Sequence, residues 1–341
     1  YAAIVSDKPA QSRRTKAGGD IARASYAPEG DVNDLLEMAE KTIFDISQGR
    51  NSKSYARISD ILPQVYEEIS ELSQGRDVSG IPTGFLDLDK ILYGLHSPDL
   101  VLVAARPGMG KTAFMLNLAQ YAAVRKNIPV AVFNLEMSNE QLVKRIISSE
   151  ANIDSEKLRS GKLSTDDWNN FAGIFDTLGN APLYFDDNTD MTVTSIRAKC
   201  RKLKLEKGIR LVIVDYLQLM KSGGYSDSRV NEVSDISRSL KVMARELGVP
   251  VVVGSQLSRE VEKRADKRPM LSDLRESGAI EQDADIVLFL YRDDYYNKDS
   301  QFKNIAEVII GKHRNGATGT VQLAYEPTRM AFRNVAFMGN Q

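Results

Sequence analysis

Lys111 and Thr112 close the stretch LVLVAARPGMGKT, residues 100–112, and both are residue types that handle phosphate. A lysine ammonium in that setting reaches β- and γ-phosphate oxygens, and a threonine hydroxyl next to it holds Mg²⁺. Gly108 and Gly110 let the loop of Arg106, Pro107 and Met109 bring its backbone close to an anion. The apolar run 100–105 reads as a buried strand, and a helix is expected from Lys111 to about position 126. Strand, tight loop and helix in that order aim the first N–H groups of the helix at a nucleoside triphosphate. One departure is visible: the pattern asks for Gly at position 105, where the chain has Ala105. The competing reading is a glycine turn that binds nothing.

Three further strand ends carry polar groups that suit the same chemistry. The run LVIV ends in Asp215, and a carboxylate at that place sits beside a phosphate loop as a Mg²⁺ partner. PVAVFNLE ends in Glu136, a candidate general base for the attacking water, or else a capping glutamate. VVVGSQ ends in Gln256, whose amide can sense the γ-phosphate. A fourth cluster, GKHRNG, puts Lys312 and Arg314 on one side of a strand tip before an Asn-Gly turn. Such a tip suits an arginine finger offered to a neighbouring subunit, and its plainer reading is an exposed charged hairpin.

The elements that must carry these groups follow from periodicity. Residues 1–28 hold scattered basic and turn residues and read as the remnant of a preceding domain; Tyr1 in place of Met reads as a trimmed start. Apolar spacing gives amphipathic helices over 31–48 and 59–74, with Asp60 as the cap of the second and Pro63 in its first turn. The stripe Ile61, Leu62, Val65, Ile69 and Leu72 must be covered by its own domain or by a neighbouring subunit. From Ile81 onward helices and apolar strands alternate, which argues for a mostly parallel sheet with helices on both faces. Strands are expected over 130–136, 183–187, 211–220, 249–256, 285–292, 306–312, 320–325 and 330–335. Helices are expected over 139–151, 192–207 and 230–247, with a helical excursion through Trp168. The basic helix 192–207 reads as a solvated or subunit-facing surface rather than a DNA site, and 222–228, SGGYSDS, as a mobile loop.

Composition excludes several classes. At 341 residues, with 42% hydrophobic and 27% charged residues, the chain is long enough for one large α/β domain with appendages. No apolar run approaches the roughly 20 residues of a membrane span, and no secretory leader is visible. The single Cys200 fits a reducing compartment, and only His96 and His313 are available, which argues against zinc. Net charge is −1, so nucleic acid, if bound, meets a local patch.

Taken together, GIPTGFLDLDKILYGL, ARPGMGKT, NLEMS, VIVDYLQLM, GSQLSREVEKR, DLRESGAIEQDADIVLFLYRDDYY and GKHRNG closely resemble the bacterial DnaB-type replicative DNA helicases. The resemblance covers residues 81–341, the motor domain of that family. Residues 51–80 resemble its linker and linker helix, and 1–50 the end of its N-terminal domain. It implies an α/β, RecA-like fold: a mostly parallel twisted sheet flanked by helices, with an N-terminal helical linker. It implies ATP and Mg²⁺ as cofactors, a homohexameric ring, and 5′ to 3′ movement on single-stranded DNA that displaces the other strand. Primase and a helicase loader are its expected partners, no membrane is involved, and the location is cytoplasmic. By position, Lys111 and Thr112 take phosphate and Mg²⁺, Asp215 holds the metal, Glu136 is the catalytic glutamate and Gln256 meets the γ-phosphate. Lys312 and Arg314 act on the neighbour's ATP, Arg145 lies against the adenine, and Arg275, Glu276 and Gly278 touch the DNA backbone. Ala105 occurs within the family. Two other classes share parts of the pattern: a recombinase-like strand-exchange ATPase, and a non-motor ATP-binding regulator.

Overall fold

Residues Leu100–Ala105 form strand β1, buried at every position. A strand with no exposed position lies inside a sheet covered on both faces, and β1 has a paired strand at each edge. The sheet contains nine strands in the order β3-β2-β4-β5-β1-β6-β7-β8-β9. The others are β2 (Val130–Asn134), β3 (Leu183–Asp186), β4 (Leu211–Asp215), β5 (Val251–Gln256), β6 (Ile286–Tyr291), β7 (Ile305–His313), β8 (Gly319–Glu326) and β9 (Ala331–Asn334). Strands β1 to β6 pair in parallel. Strands β7 to β9 extend the sheet as antiparallel neighbours from β6 outward. The parallel strands read as continuous apolar runs because helices cover both faces; β7 alternates buried and half-buried positions.

The computed structural model describes residues 15, 18–24, 26, 32–47, 57–73, 80–220 and 229–335. The expected mobile loop 222–228 lies outside the described residues. The chain divides into two units, residues 1–75 with 194–208, and residues 76–193 with 209–341. The sheet belongs to the second. In the first, helix α1 (Val32–Ser47) and helix α2 (Ile58–Ser73) match the two amphipathic patterns. Asp60 is not the cap of α2. The helix opens at Ile58, so Asp60 lies in its first turn and Pro63 falls inside the helix, beyond that turn. The apolar stripe of α2 faces outward, with Ile58, Ile61, Leu62, Val65, Tyr66 and Ile69 all exposed.

In the second unit α3 (Leu86–Leu92) precedes β1, and α4 (Lys111–Gln120) follows the loop after it. Helix α4 runs on as a π-helical turn, Tyr121–Arg125, so the helical run ends close to the expected position. It buries Ala113, Phe114, Met115, Leu116, Leu118 and Ala119, nearly its full circumference. Phe114 stacks on Phe85 at 5.2 Å and meets Phe332 edge-on at 5.6 Å. Helix α5 (Asn139–Glu150) begins with a capping box: the Ser138 side chain accepts from the Gln141 N–H, and the Gln141 side chain accepts from the Ser138 N–H. The helical excursion extends past Trp168, as α6 (Ser155–Ser160) and α7 (Thr165–Asn180). Helix α8 (Val193–Lys207), which belongs to the first unit, is the basic helix; it buries Ile196, Cys200 and Arg201, and Arg197 pairs with Glu37 of α1. It is therefore not simply a solvated face. Helix α9 (Arg229–Leu247) leads into β5. Residues 257–283, weakly periodic in sequence, form short 3-10 turns, Arg259–Lys263 and Leu271–Ser277, and helix α10 (Gly278–Asp283). Helix α11 (Asp293–Tyr296) follows β6. Among the described residues no helix is long and apolar enough to cross a membrane.

Phe114 joins the phosphate-loop helix to both α3 and β9, so Phe114→Ala should lower stability by about 3–5 kcal/mol. A thermal melt of the variant checks this. An unshifted midpoint would mean that the three rings do not hold these elements together.

Candidate active site

The loop after β1 turns on two glycines in the left-handed region, Gly108 at φ 82° and Gly110 at φ 96°. Crowding adds to the backbone requirement. A Cβ on Gly108 would lie 2.7 Å from the Tyr295 ring, and one on Gly110 2.9 Å from the Phe332 ring. Met109 is buried at 1% exposure and anchors the loop from below. Arg106 donates through Nε to Glu262 Oε1 at 2.8 Å and through Nη1 to the Leu257 carbonyl at 2.8 Å. Its guanidinium is committed to those partners, so its share in the loop is backbone.

Lys111 Nζ donates to Asp215 Oδ1 at 2.7 Å, and Thr112 Oγ1 donates to Asp215 Oδ2 at 2.5 Å. The ammonium also lies 4.0 Å from the centre of the Tyr216 ring. Strand β4 ends at Asp215, five residues earlier than expected, and a 3-10 turn, Leu217–Leu219, replaces the rest. Burial pushes the Lys111 ammonium below its ordinary range, while Asp215 and then Glu136 pull it back up. Gly254 in β5 makes room for the pair: a Cβ there would lie 2.6 Å from Asp215 Oδ1 and 2.9 Å from Lys111 Nζ.

Glu136 stands two residues beyond β2 rather than at its tip. Asn134 Oδ1 accepts from the N–H groups of Glu136 at 2.9 Å and Met137 at 2.6 Å. The Leu135 N–H donates to the Asp215 carbonyl at 2.8 Å. A side-chain turn thus releases the chain from the sheet and leaves Glu136 exposed beside the loop. Gln256 is the last residue of β5, and its N–H donates to Gln218 Oε1 at 3.2 Å. Gln218 Nε2 returns bonds to Ser255 Oγ at 2.9 Å and the Gln256 carbonyl at 3.2 Å.

One cavity of about 320 Å³ is lined by the loop from Ala105 to Thr112, apart from the buried Met109, and by Glu136, Tyr216 and Gln256, with Arg145 from α5. Tyr325, Pro327 and Met330, from the end of the chain, complete it. Burial lowers the ordinary value of Arg145, opposed by Tyr325, Asp215 and Glu136. Sequence reading brought Lys111, Thr112, Glu136, Arg145, Asp215 and Gln256 here and missed Tyr216, Gln218, Tyr325, Pro327 and Met330.

Lys312 and Arg314 lie elsewhere. His313 pairs with Ile286 across β6 and β7, and Val101 pairs with Ile286 across β1 and β6. The hairpin tip is therefore level with the start of β1, whereas the phosphate loop follows its end. The strand between spans roughly 17 Å at about 3.3 Å per residue. No arginine side chain covers that length, so Arg314 does not reach the phosphate loop of its own chain. Both cations address one short segment. Lys312 Nζ donates to the carbonyls of Glu281 at 2.6 Å, Gln282 at 3.3 Å and Ala284 at 2.7 Å, capping α10. The Arg314 N–H donates to the Asp285 carbonyl at 2.8 Å.

The DLRESG segment spans the Leu271–Ser277 turn and the start of α10. Asp273 ties it down, accepting from Arg264 Nη2 at 2.8 Å and the Met270 N–H at 2.7 Å. Arg275, Glu276 and Gly278 follow directly; their side chains lie outside the described ones.

The DnaB-like helicase C terminal domain family matches residues 80–334. The chain belongs to the DnaB-like helicases. It is 52% identical over 328 residues to the replicative DNA helicase DnaB of Geobacillus stearothermophilus, covering 95% of this chain and 72% of the relative. With the replicative DNA helicase DnaC of Bacillus subtilis it shares 50% identity over 337 residues, covering 98% and 74%. A solved DnaB-like replicative helicase, described together with its interactions with primase, superposes at TM-score 0.82 and 40% identity over 98% of this chain and 78% of the other. The RecA-like architecture expected from sequence is the one observed.

Gly254→Ala would force a methyl group into the Lys111–Asp215 contact. Overpacking of this kind costs about 1–3 kcal/mol, so the melting temperature should fall by roughly 2–10 °C, while displacement of the Lys111–Asp215 pair should make nucleotide turnover collapse. Turnover at the parent level would show that the pair can shift without consequence.

Proposed function

We propose that this chain is the motor of a replicative DNA helicase, hydrolysing ATP with Mg²⁺ to move 5′ to 3′ along single-stranded DNA as a homohexameric ring. The observation that carries the ring is the place of Arg314, level with the start of β1 and out of reach of its own phosphate loop. An arginine that completes such a site from a neighbouring copy makes hydrolysis a property of the interface. Two exposed apolar faces support assembly: the α2 stripe and the α7 stripe, where Trp168 and Phe175 are 55% and 63% exposed. Faces of that kind mark interaction surfaces. Family membership favours the helicase over the recombinase-like and regulator alternatives, since its relatives are replicative DNA helicases.

The site fits Mg²⁺. Thr112 Oγ1 and Asp215 Oδ2 are hard oxygens held together at a helix start, and Mg²⁺ takes few protein ligands and completes its shell with phosphate and water. Bound there, the ion supplies positive charge against the phosphate oxygens. Lys111 leaves its Asp215 contact to meet the β- and γ-phosphates. Glu136 accepts the proton of the attacking water, and Gln256 contacts the γ-phosphate. Arg145, Tyr325, Pro327 and Met330 enclose the base. Arg275, Glu276 and Gly278 follow the DNA backbone, a contact that tracks phosphates without reading bases. Primase is a partner, as the described pairing of a solved relative suggests, and a loader places the ring on DNA.

Hydrolysis measured with and without single-stranded DNA, alongside mass in solution, tests the motor: DNA should stimulate turnover, and the active species should be the hexamer. Unstimulated turnover by a monomer would remove it. Glu136→Gln should keep nucleotide binding and lose turnover, since the amide cannot take the proton. Arg314→Ala should lose about 10³–10⁵ in rate. Mixed rings of the two variants should regain activity, because some interfaces then join an intact Arg314 to an intact Glu136. A mixture as inactive as both parents, in rings shown to be shared, would rule out the trans assignment and leave GKHRNG an ordinary charged hairpin.

A further inference from the structure

Asp285 stands immediately before β6, at 4% exposure, with its carboxylate oxygens divided between two tasks. Oδ2 accepts from the Leu100 N–H at 2.8 Å and from Lys241 Nζ, while Lys241 also donates to the Pro98 carbonyl at 3.0 Å. These bonds tie the carboxylate to the start of β1 and to α9, so it cannot turn freely. Oδ1 lies 3.5 Å from Arg314 Nη1. The same residue grips the arginine's backbone, through the Arg314 N–H to the Asp285 carbonyl at 2.8 Å.

We propose that Asp285 is a positioning residue for Arg314, setting the backbone and guanidinium of the finger so that it projects toward the neighbouring copy's γ-phosphate. The inference rests on the trans-acting role of Arg314 given above. The guanidinium is 63% exposed, and an exposed pair at 3.5 Å holds weakly. It orients the side chain yet releases it readily to a phosphate, whose charge is greater. A buried, doubly bonded carboxylate is the stiff half of the contact and the exposed arginine the movable half. Lys312, fixed on the carbonyls of residues 281, 282 and 284, stands on the same segment, so residues 281–285 form one mount for both cations. A misplaced reacting group of this kind loses rate, not affinity: about 1 Å costs on the order of 10²-fold.

The test is a double-mutant cycle on DNA-stimulated hydrolysis by the assembled ring, with D285N, R314A and the double variant, reading kcat and KM separately. Enzyme-excess single turnovers keep the residual rates measurable. D285N should lower kcat by roughly ten- to a hundredfold with KM nearly unchanged, and should have no further effect once Arg314 is alanine. Equal loss in both backgrounds would make Asp285 a structural tie only and overturn the proposal. Unchanged kcat in D285N with a dead R314A would also overturn it while leaving the finger in place. Parent-level turnover in R314A would sink the finger itself, and with it the proposal, a result separate from the other two. Because D285N strands the Lys241 ammonium, the cycle is repeated with K241M/D285N, which leaves no unpaired buried charge. Its melting temperature shows whether the fold is intact.

Discussion

The contact on which the rest depends is the meeting of Lys111 and Thr112 with the single carboxylate of Asp215. The Lys111 and Asp215 side chains are 13% and 2% exposed, so each would be costly alone. A buried ion pair of this kind adds little net stability, since desolvation offsets most of the attraction. What it secures is register. Lys111 begins α4, Asp215 ends β4, and Gly254 of β5 lies against both. Three elements distant in sequence meet at one point, and each must arrive with the right residue for the charges to be matched. Everything in the cavity is placed relative to that point, including Glu136, whose turn leans on the Asp215 carbonyl.

The antiparallel half of the sheet serves the site from above. Tyr295, Tyr325, Met330 and Phe332 all come from residues beyond β6. Tyr295 and Phe332 lie over the two loop glycines, and Tyr325 and Met330 line the cavity. Arg292 stacks over Tyr325 at 4.1 Å and so stiffens this cover. The small size of Gly108 and Gly110 thus answers two demands, a positive φ and an aromatic roof.

Local pattern made much of this readable. Apolar runs in a two-sided sheet announce β1, β2, β4, β5 and β6, and the phosphate loop carries its chemistry in adjacent residues. Reading failed where a side chain overrides the run. Asn134 ends β2 early by accepting from its own backbone, which moves Glu136 off the strand. The apolar YLQLM after Asp215 looks like more strand but coils into a 3-10 turn, because its glutamine is needed on Ser255 and Gln256. Tyr325 and Met330 gave no local signal, since nothing near them in sequence says that β8 and β9 close over a helix that begins at Lys111. The cations of GKHRNG are plain in the sequence, but that Lys312 is spent on helix carbonyls is visible only in three dimensions.

The strand order also has a consequence for the birth of the protein. Strand β1 ends at Ala105, but its neighbours β5 and β6 begin only at Val251 and Ile286. While the ribosome extends the chain, this wholly apolar strand has no partner on either side until β5 is made. Long-range pairing of this sort is slow, and an unpaired apolar strand invites wrong partners. The nascent chain therefore carries the loop after β1 without its completed site, and β1 with both edges unpaired, until residues 251–291 have been made.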